Sequence, residues 1–171
     1  METVHFIGNA HIDPVWLWRW PEGLQSCRST FRSALERIAD TPGFVFTASS
    51  AAQYEWIEKT DPELFERIRA AVGAGRWAVV GGMWVEPDLN VPSGESLVRQ
   101  LLLGQRYFCD RFGQCASVGY NVDSFGHTAM LPQLLCRAGI DSYVFMRPGP
   151  HEKRLPGEVF HWESADGSRI L

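Results

Sequence analysis

Ala10-His11-Ile12-Asp13-Pro14-Val15-Trp16-Leu17-Trp18 follows the first apolar run of the chain, Val4-His5-Phe6-Ile7-Gly8, and these two stretches decide how the rest is read. A short apolar run that ends in Gly and Asn reads as a buried strand, which puts His11 and Asp13 in the loop at its carboxyl end. Residues two apart in extended backbone point the same way, so the His11 imidazole and the Asp13 carboxylate can converge on one point. Such a pair is half of a site for zinc or a neighbouring divalent ion. Pro14 stiffens the turn that follows, and Trp16 and Trp18 set flat apolar faces beside it. Taken alone, the stretch also fits an N-capping Asp beside a surface His. The other segments decide between the two.

Outward from this stretch, helix and strand alternate. Pro21 suits a first helical turn, and Leu24, Cys27, Phe31, Leu35 and Ile38 repeat at helical spacing up to Asp40. Thr41-Pro42-Gly43 breaks that helix, and Phe44 to Thr47 is the second strand. Ser49-Ser50 opens a helix with Tyr54, Trp56 and Ile57. Asp61-Pro62 caps and starts the next, whose stripe is Leu64, Phe65, Ile68 and Val72, until Gly73 and Gly75. The third strand, Trp77 to Gly81, runs into Gly82-Met83-Trp84-Val85-Glu86-Pro87-Asp88-Leu89-Asn90. Ser93 caps a helix carrying Leu97, Leu101, Leu102, Tyr107 and Phe108, stopped by Gly113. The fourth strand, Ser117 to Val122, leads into Asp123-Ser124-Phe125-Gly126-His127 and a helix from Met130 to Ala138. The fifth, Ser142 to Met146, delivers Arg147. A Pro- and Gly-bearing stretch runs from Pro148 to Gly157. Glu158 to Glu163 and Arg169 to Leu171 then read as two strands joined across Asp166-Gly167, a terminal hairpin.

This pattern gives an α/β fold: a parallel sheet flanked by helices, either open or wrapped into part of a barrel. Ligands of such sheets bind beyond the carboxyl ends of the strands. His11 and Asp13 follow the first strand, Trp84, Glu86, Asp88 and Asn90 the third, Asp123 the fourth and Arg147 the fifth. All are expected on one rim, and a charge pattern without function has no reason to gather there.

Composition narrows the classes. With 171 residues, 45% of them hydrophobic, the chain can bury the core of one domain. A net charge of -4 leaves no positive excess for a phosphate backbone, which argues against nucleic acid. Apolar runs such as Leu101-Leu102-Leu103 fall far short of the roughly 20 residues of a membrane span. Met1-Glu2-Thr3 lacks the positive start of a signal peptide. Cys27, Cys109, Cys115 and Cys136 show no C-x-x-C spacing and read as reduced, packed thiols of a cytoplasmic protein, neither a zinc finger nor a disulfide frame. Among the remaining residues of interest, His5 reads as a core histidine and His127 as a helix-start contact or a partner of a ligand carboxylate. His151 and His161 read as structural or exposed, and Trp18, Trp20 and Trp77 as packing. Glu86 and Asp88 have a plainer role available in holding their loop, and Asn90 in capping it.

His11, Asp13 and Asp123 supply one nitrogen and two carboxylate ligands, an incomplete shell for a catalytic divalent metal that keeps a position open for substrate. A metal held by carboxylates can grip vicinal sugar hydroxyls, Trp16 and Phe125 offer apolar faces to a sugar ring, and Arg147 can fix a carboxylate by a forked pair of hydrogen bonds. The set reads as carbohydrate chemistry.

His11-Ile12-Asp13-Pro14 with Trp16, Gly81-Gly82-Met83-Trp84-Val85-Glu86-Pro87-Asp88, and Val122-Asp123-Ser124-Phe125-Gly126-His127 together resemble the N-terminal catalytic region of the family 38 glycoside hydrolases, the retaining α-mannosidases. The resemblance covers essentially the whole chain, with three motifs in the expected order. It implies part of a seven-stranded β/α barrel-like domain, with His11, Asp13 and Asp123 as ligands of a divalent metal, zinc in that family. Asp123 would also be the nucleophile that forms a glycosyl-enzyme intermediate. Trp16, Trp84, Asp88 and Phe125 would contact substrate, with Arg147 beside the nucleophile. The substrate implied is an α-mannoside oligosaccharide or a small mannosyl solute such as a mannosylglycerate.

Family members are several times longer, so residues 1–171 are expected to be the N-terminal part of a longer, cytoplasmic enzyme. The remainder of the polypeptide would then supply a further metal-binding His and the acid/base carboxylate that a retaining glycosidase needs roughly 5 to 5.5 Å from its nucleophile. The isolated chain is expected to bind metal weakly and turn over negligibly, and a homo-oligomer is allowed. Two other classes stay open: a deacetylase-like metal hydrolase in which Asp123 is a base toward metal-bound water, and a sugar-binding or scaffold domain without chemistry.

Overall fold

The computed structural model describes residues 3–149 and 151–171. Met1 and Glu2, on which the signal-peptide reading rests, lie outside the described residues, as does Pro150 of the Pro- and Gly-bearing stretch. The elements in order are β1 (Gly8–Asn9), α1 (Trp20–Asp40), β2 (Phe46–Ala48), α2 (Ala51–Thr60), α3 (Pro62–Gly73), β3 (Trp77–Val79), α4 (Gly94–Phe112), β4 (Val118–Tyr120), α5 (Leu131–Arg137), β5 (Ser142–Val144), β6 (Trp162–Glu163) and β7 (Arg169–Ile170). They fall into two units, Met1–Ala48 with Ala52–Val79, and Ser49–Ala51 with Val80–Leu171.

In the first unit β1, β2 and β3 form a parallel sheet in that order, with Gly8 opposite Phe46 and Phe46 opposite Trp77. The helical stripe of α1 buries Leu24, Cys27, Phe31, Ala34 and Leu35. Asp61 caps α3 by accepting the Leu64 N–H at 3.2 Å, with Pro62 in the first turn. At the centre, the Trp77 ring lies 5.1 Å from Phe31 and 4.7 Å from Phe46, both edge-on. Trp77 Nε1–H donates to the Tyr54 hydroxyl (2.8 Å), which donates to the Ala48 carbonyl (2.9 Å). The buried rings thus satisfy their own polar atoms while pinning the carboxyl end of β2. Each such side chain contributes roughly 1.5–3 kcal/mol by its burial.

The first strand departs from its expected span. Instead of Val4 to Gly8, the paired residues are Gly8–Asn9, and Val4 and Phe6 are 73% and 93% exposed. Sheet register is the reason: β2 meets β1 only at these two residues, so the preceding segment has no ladder. His5 is exposed and not a core histidine.

In the second unit β4 and β5 pair in parallel, Val118 opposite Ser142, and β6 and β7 pair antiparallel, Trp162 opposite Ile170. Its core joins Met83, Leu89, Leu97, Leu101, Leu131, Leu135 and Ile140. Ser93 caps α4 through the Ser96 N–H, and Gly113 ends it in the left-handed conformation at φ 70°. Leu102 lies off the buried stripe, 62% exposed, and the polar Gln105 takes the inward place. Its amide donates to the Ala116 and Ala138 carbonyls and accepts the Ala116 N–H. One buried side chain therefore fastens the approach to β4 and the end of α5.

The cysteine reading needs one correction. Cys109 and Cys115 form a disulfide, with Cα atoms 4.8 Å apart. The left-handed turn at Gly113 folds the chain back along the last turn of α4, and this reversal, which no C-x-x-C pattern announces, brings the two together. Cys27 and Cys136 are free. Since disulfides persist chiefly in oxidising compartments, the pair removes part of the ground for a cytoplasmic location. Among the described residues, no helix is long and apolar enough to cross a membrane.

Candidate active site

The first unit presents the His11 loop. Its backbone is held at three successive residues: Gln53 Nε2–H donates to the Ile12 carbonyl (2.7 Å), Trp18 Nε1–H donates to the Asp13 carbonyl (3.1 Å), and Pro14 rests on Gly23 of α1. Only glycine permits that last approach, because a Cβ at position 23 would lie 2.2 Å from the Pro14 oxygen. So held, His11 Nε2 stands 3.3 Å from Asp13 Oδ1, and both side chains are partly open to solvent. Two atoms bound to one tetrahedral cation at roughly 2.0–2.1 Å lie roughly 3.4 Å apart, so the pair fits as two ligands of zinc. The same distance serves a hydrogen bond between the side chains. Trp16 is 63% exposed and packs edge-on against Trp18, with centroids 5.2 Å apart, leaving an apolar face open beside the pair.

The second unit presents Asp123. Tyr120 ends β4, and the chain then turns through a net of polar contacts, of which sequence reasoning offers only the loop-holding role of Glu86. Asn121, 3% exposed, donates its N–H to the Val144 carbonyl (3.1 Å) and its side-chain amide to the Pro87 carbonyl (2.8 Å), and accepts the Ser124 N–H (3.1 Å). Glu86 accepts the Ser49 hydroxyl and the Val122 N–H (3.2 Å). The Ser124 hydroxyl donates to the Gly126 carbonyl (2.7 Å) and accepts the Leu89 N–H (3.2 Å). Both neighbours of Asp123 are thereby bound to the loop that follows β3.

Asp123 itself accepts a hydrogen bond from Arg147 Nε (2.7 Å), and the Arg147 guanidinium lies 4.7 Å over the Phe125 ring. Phe125 is 74% exposed. The expected trio of Asp123, Phe125 and Arg147 is thus brought together. His127 Nε2 lies 2.7 Å from the Arg147 carbonyl, and its Nδ1 lies 3.1 Å from the Tyr143 hydroxyl.

The other two expected residues are fixed differently. Trp84 is half-buried, its N–H on the Gln100 carbonyl (2.9 Å) and its ring edge-on to Tyr107 of α4. Asp88 Oδ1 accepts the N–H groups of Val91 and Asn90, both at 2.8 Å. Those two bonds hold its carboxyl below the usual range against a smaller upward push from burial. His151 and His161 are exposed, and Trp77 is packing, as read from the sequence.

The signal that could have found the supporting residues is a polar side chain in an apolar run: Asn121 after Val118 to Tyr120, and Gln105 in the stripe of α4. Gln53, Glu86 and Ser49 carry no such mark.

Residues 1–171 match the family model described as the glycosyl hydrolases family 38 N-terminal domain. The chain is 39% identical over 170 residues to alpha-mannosidase 2C1 of Homo sapiens, covering 99% of this chain and 16% of that protein. It is 35% identical over 173 residues to alpha-mannosidase of Saccharomyces cerevisiae, covering 100% and 16%. A putative mannosylglycerate hydrolase of Halalkalibacterium halodurans is 29% identical over 184 residues, covering 99% and 20%. The chain therefore spans a minor part of the length of these relatives. Its fold is shared with the crystal structure of an alpha-mannosidase from Enterococcus faecalis V583, at a TM-score of 0.81 and 24% identity, over 96% of this chain and 19% of that one. The chain belongs to glycosyl hydrolase family 38.

Proposed function

We propose that this chain carries the nucleophile and part of the metal shell of a retaining α-mannosidase. One observation carries the reading: Asp123 stands past the end of β4 in a loop anchored on both sides, with its carboxylate aligned by Arg147 at 2.7 Å. A carboxylate held in that way is suited to attack an anomeric carbon and form a glycosyl-enzyme ester while an acid protonates the departing oxygen. Two relatives above 30% identity bear the name alpha-mannosidase, which supports a mannoside as the sugar.

In this reading His11, Asp13 and Asp123 hold one divalent ion, zinc by the chemistry of an imidazole with carboxylates and by the 3.3 Å spacing of the first pair. When bound, the ion supplies positive charge and a grip on vicinal sugar hydroxyls. Trp16 and Phe125 give the sugar ring its apolar faces, Trp84 and Asp88 contact substrate from the loop after β3, and Arg147 keeps the nucleophile on line. The acid/base and a further metal ligand come from the remainder of the polypeptide, in a seven-stranded β/α barrel-like domain. A cytoplasmic setting belongs to the same proposal, and a Cys109–Cys115 pair found reduced in the host cell would support it. Homo-oligomer formation is open to sedimentation analysis.

A fluorinated mannosyl trapping reagent tests the reading in the full-length protein. Covalent label on Asp123 with hydrolysis of an aryl α-mannoside supports it. Acetate release from an acetylated sugar without label supports the deacetylase alternative, and sugar binding indifferent to zinc and to His11→Ala supports a lectin. The Halalkalibacterium halodurans relative favours a second substrate within the same chemistry, a mannosyl solute, and kcat/KM on mannosylglycerate against the aryl mannoside separates the two.

A further inference from the structure

We propose that His127 is a positioning residue for Asp123 and acts through Arg147. The inference rests on the reading of Asp123 as nucleophile. Arg147 lies three residues beyond the end of β5, past the last ladder pair, Tyr120 opposite Val144. Its backbone there is outside the sheet, yet its guanidinium must meet both the Asp123 carboxylate and the Phe125 ring. His127 supplies the missing anchor, with Nε2 at 2.7 Å from the Arg147 carbonyl. A carbonyl has no proton to give, so Nε2 carries the hydrogen and Nδ1 is left as the acceptor for the Tyr143 hydroxyl at 3.1 Å. Both ring nitrogens are satisfied in one neutral tautomer.

The ring is also held by packing. The rings of Tyr143, Phe145 and Trp162 surround it, with centroids at 5.6, 5.4 and 6.3 Å. Its backbone bridges Leu89, and the next residue, Thr128, donates its N–H to the Leu89 carbonyl at 2.9 Å. One histidine therefore joins the loops after β3, β4 and β5, and the arginine that aligns the nucleophile hangs from it. Without the anchor the guanidinium loses its fulcrum, and a displacement of roughly 1 Å at a reacting carboxylate costs up to about 100-fold in rate.

The test uses the full-length enzyme and an aryl α-mannoside. His127→Phe keeps a planar ring, larger than imidazole, and loses both hydrogen bonds. His127→Gln keeps a donor at the reach of Nε2, whereas His127→Asn reaches only the Nδ1 position. The expected result is a kcat lower by roughly 10- to 100-fold in His127→Phe with KM little changed, recovery in His127→Gln but not in His127→Asn, and no further loss from His127→Phe when Arg147→Met is already present. Crystal structures of the variants should show the Arg147–Asp123 bond broken in His127→Phe and kept in His127→Gln. An unchanged kcat in His127→Phe, or its full penalty persisting beside Arg147→Met, overturns the proposal. If His127→Phe does not fold, the contrast between His127→Gln and His127→Asn decides, and equal rates overturn it. If the wild-type enzyme leaves the mannoside uncut, the mannosidase reading falls by itself. The crystal structures then judge the positioning: an Arg147–Asp123 bond intact in His127→Phe refutes it, and a broken one upholds it.

Discussion

Replacing Gly23 by Ala separates two opposing effects at the place where the His11–Asp13 loop meets α1. Alanine raises helix preference by up to ~1 kcal/mol over glycine. The added Cβ, however, would stand 2.2 Å from the Pro14 oxygen and 3.0 Å from its carbonyl carbon. Carbon–oxygen contacts settle at roughly 3.3–3.6 Å, so the Pro14 peptide must retreat by roughly 1 Å. This neighbour is main chain and cannot swing aside like the end of a flexible side chain. Overpacking of this kind costs ~1–3 kcal/mol, which outweighs the gain in propensity. With up to ~1 kcal/mol regained, the net expectation is a loss of up to about 2 kcal/mol, or up to roughly 8 °C in Tm for a domain of this size.

The larger effect falls on the site. Gln53 and Trp18 hold the Ile12 and Asp13 carbonyls, so the retreat of Pro14 twists the short segment that carries the two donors. On the proposed function, a shift of roughly 1 Å there should weaken zinc binding and lower kcat/KM by about 100-fold. Calorimetric melting reads the stability, and zinc titration with mannoside kinetics of the full-length protein reads the effect on the site. Gly73→Ala is the control: nothing lies within 4 Å of its added Cβ, so it should be neutral or stabilising by up to ~1 kcal/mol. A Gly23→Ala protein as stable as the wild type, with unchanged zinc affinity, would refute the claim that this contact sets the loop.

Three other outcomes are expected. Burial pushes the Asp61 carboxyl up, but the Leu64 N–H and the Arg32 and Arg28 guanidinium groups together hold it below the usual range. With the folded pKa below the unfolded one, its stabilisation is complete above about pH 4 and fades as pH falls through the folded value. Asp61→Asn should therefore lower Tm at pH 7, and the gap to wild type should close on acidification; a gap independent of pH would contradict this. Burial lifts the Cys27 thiol to about 12, so iodoacetamide on the native protein should reach Cys136 and spare Cys27. Cys109 and Cys115 should react only after reduction, at a cost in stability of roughly 2 kcal/mol for so short a loop. Glu86→Gln leaves one acceptor oxygen for two donors, the Val122 N–H and the Ser49 hydroxyl, and should cost about 1–3 kcal/mol in urea unfolding. Ser49→Ala should add less to it than it costs alone, and strict additivity would show that the two do not share the bond.

The features that could be read from the sequence are those whose physics is local. Asp61 and Ser93 cap their helices because a side-chain oxygen three residues before an exposed N–H needs no distant partner. The expectation that Asp123, Phe125 and Arg147 lie near one another is equally local, since a strand followed by a short loop places its next residues past the carboxyl end of a parallel sheet, and the structure brings the three into contact. The failures depend on pairings between distant segments. The extent of β1 is set by where β2 meets it, and the disulfide exists because Gly113 reverses the chain.

The same distinction explains why the expected reactive groups leave a mark in the sequence while most of the contacts that hold their loops do not. A nucleophile or a metal ligand needs a particular side chain, and that need leaves a residue type in the sequence. The supports act on backbone carbonyls and amides, which every position possesses. Gln53 on the Ile12 carbonyl, Glu86 on the Val122 amide and His127 on the Arg147 carbonyl are recognisable only when the fold brings the two ends together. Their loss would leave every expected reactive residue in place while moving it. In this domain, substitutions at unremarkable positions such as Gln53 or Gly23 should therefore damage activity more than their effect on stability suggests.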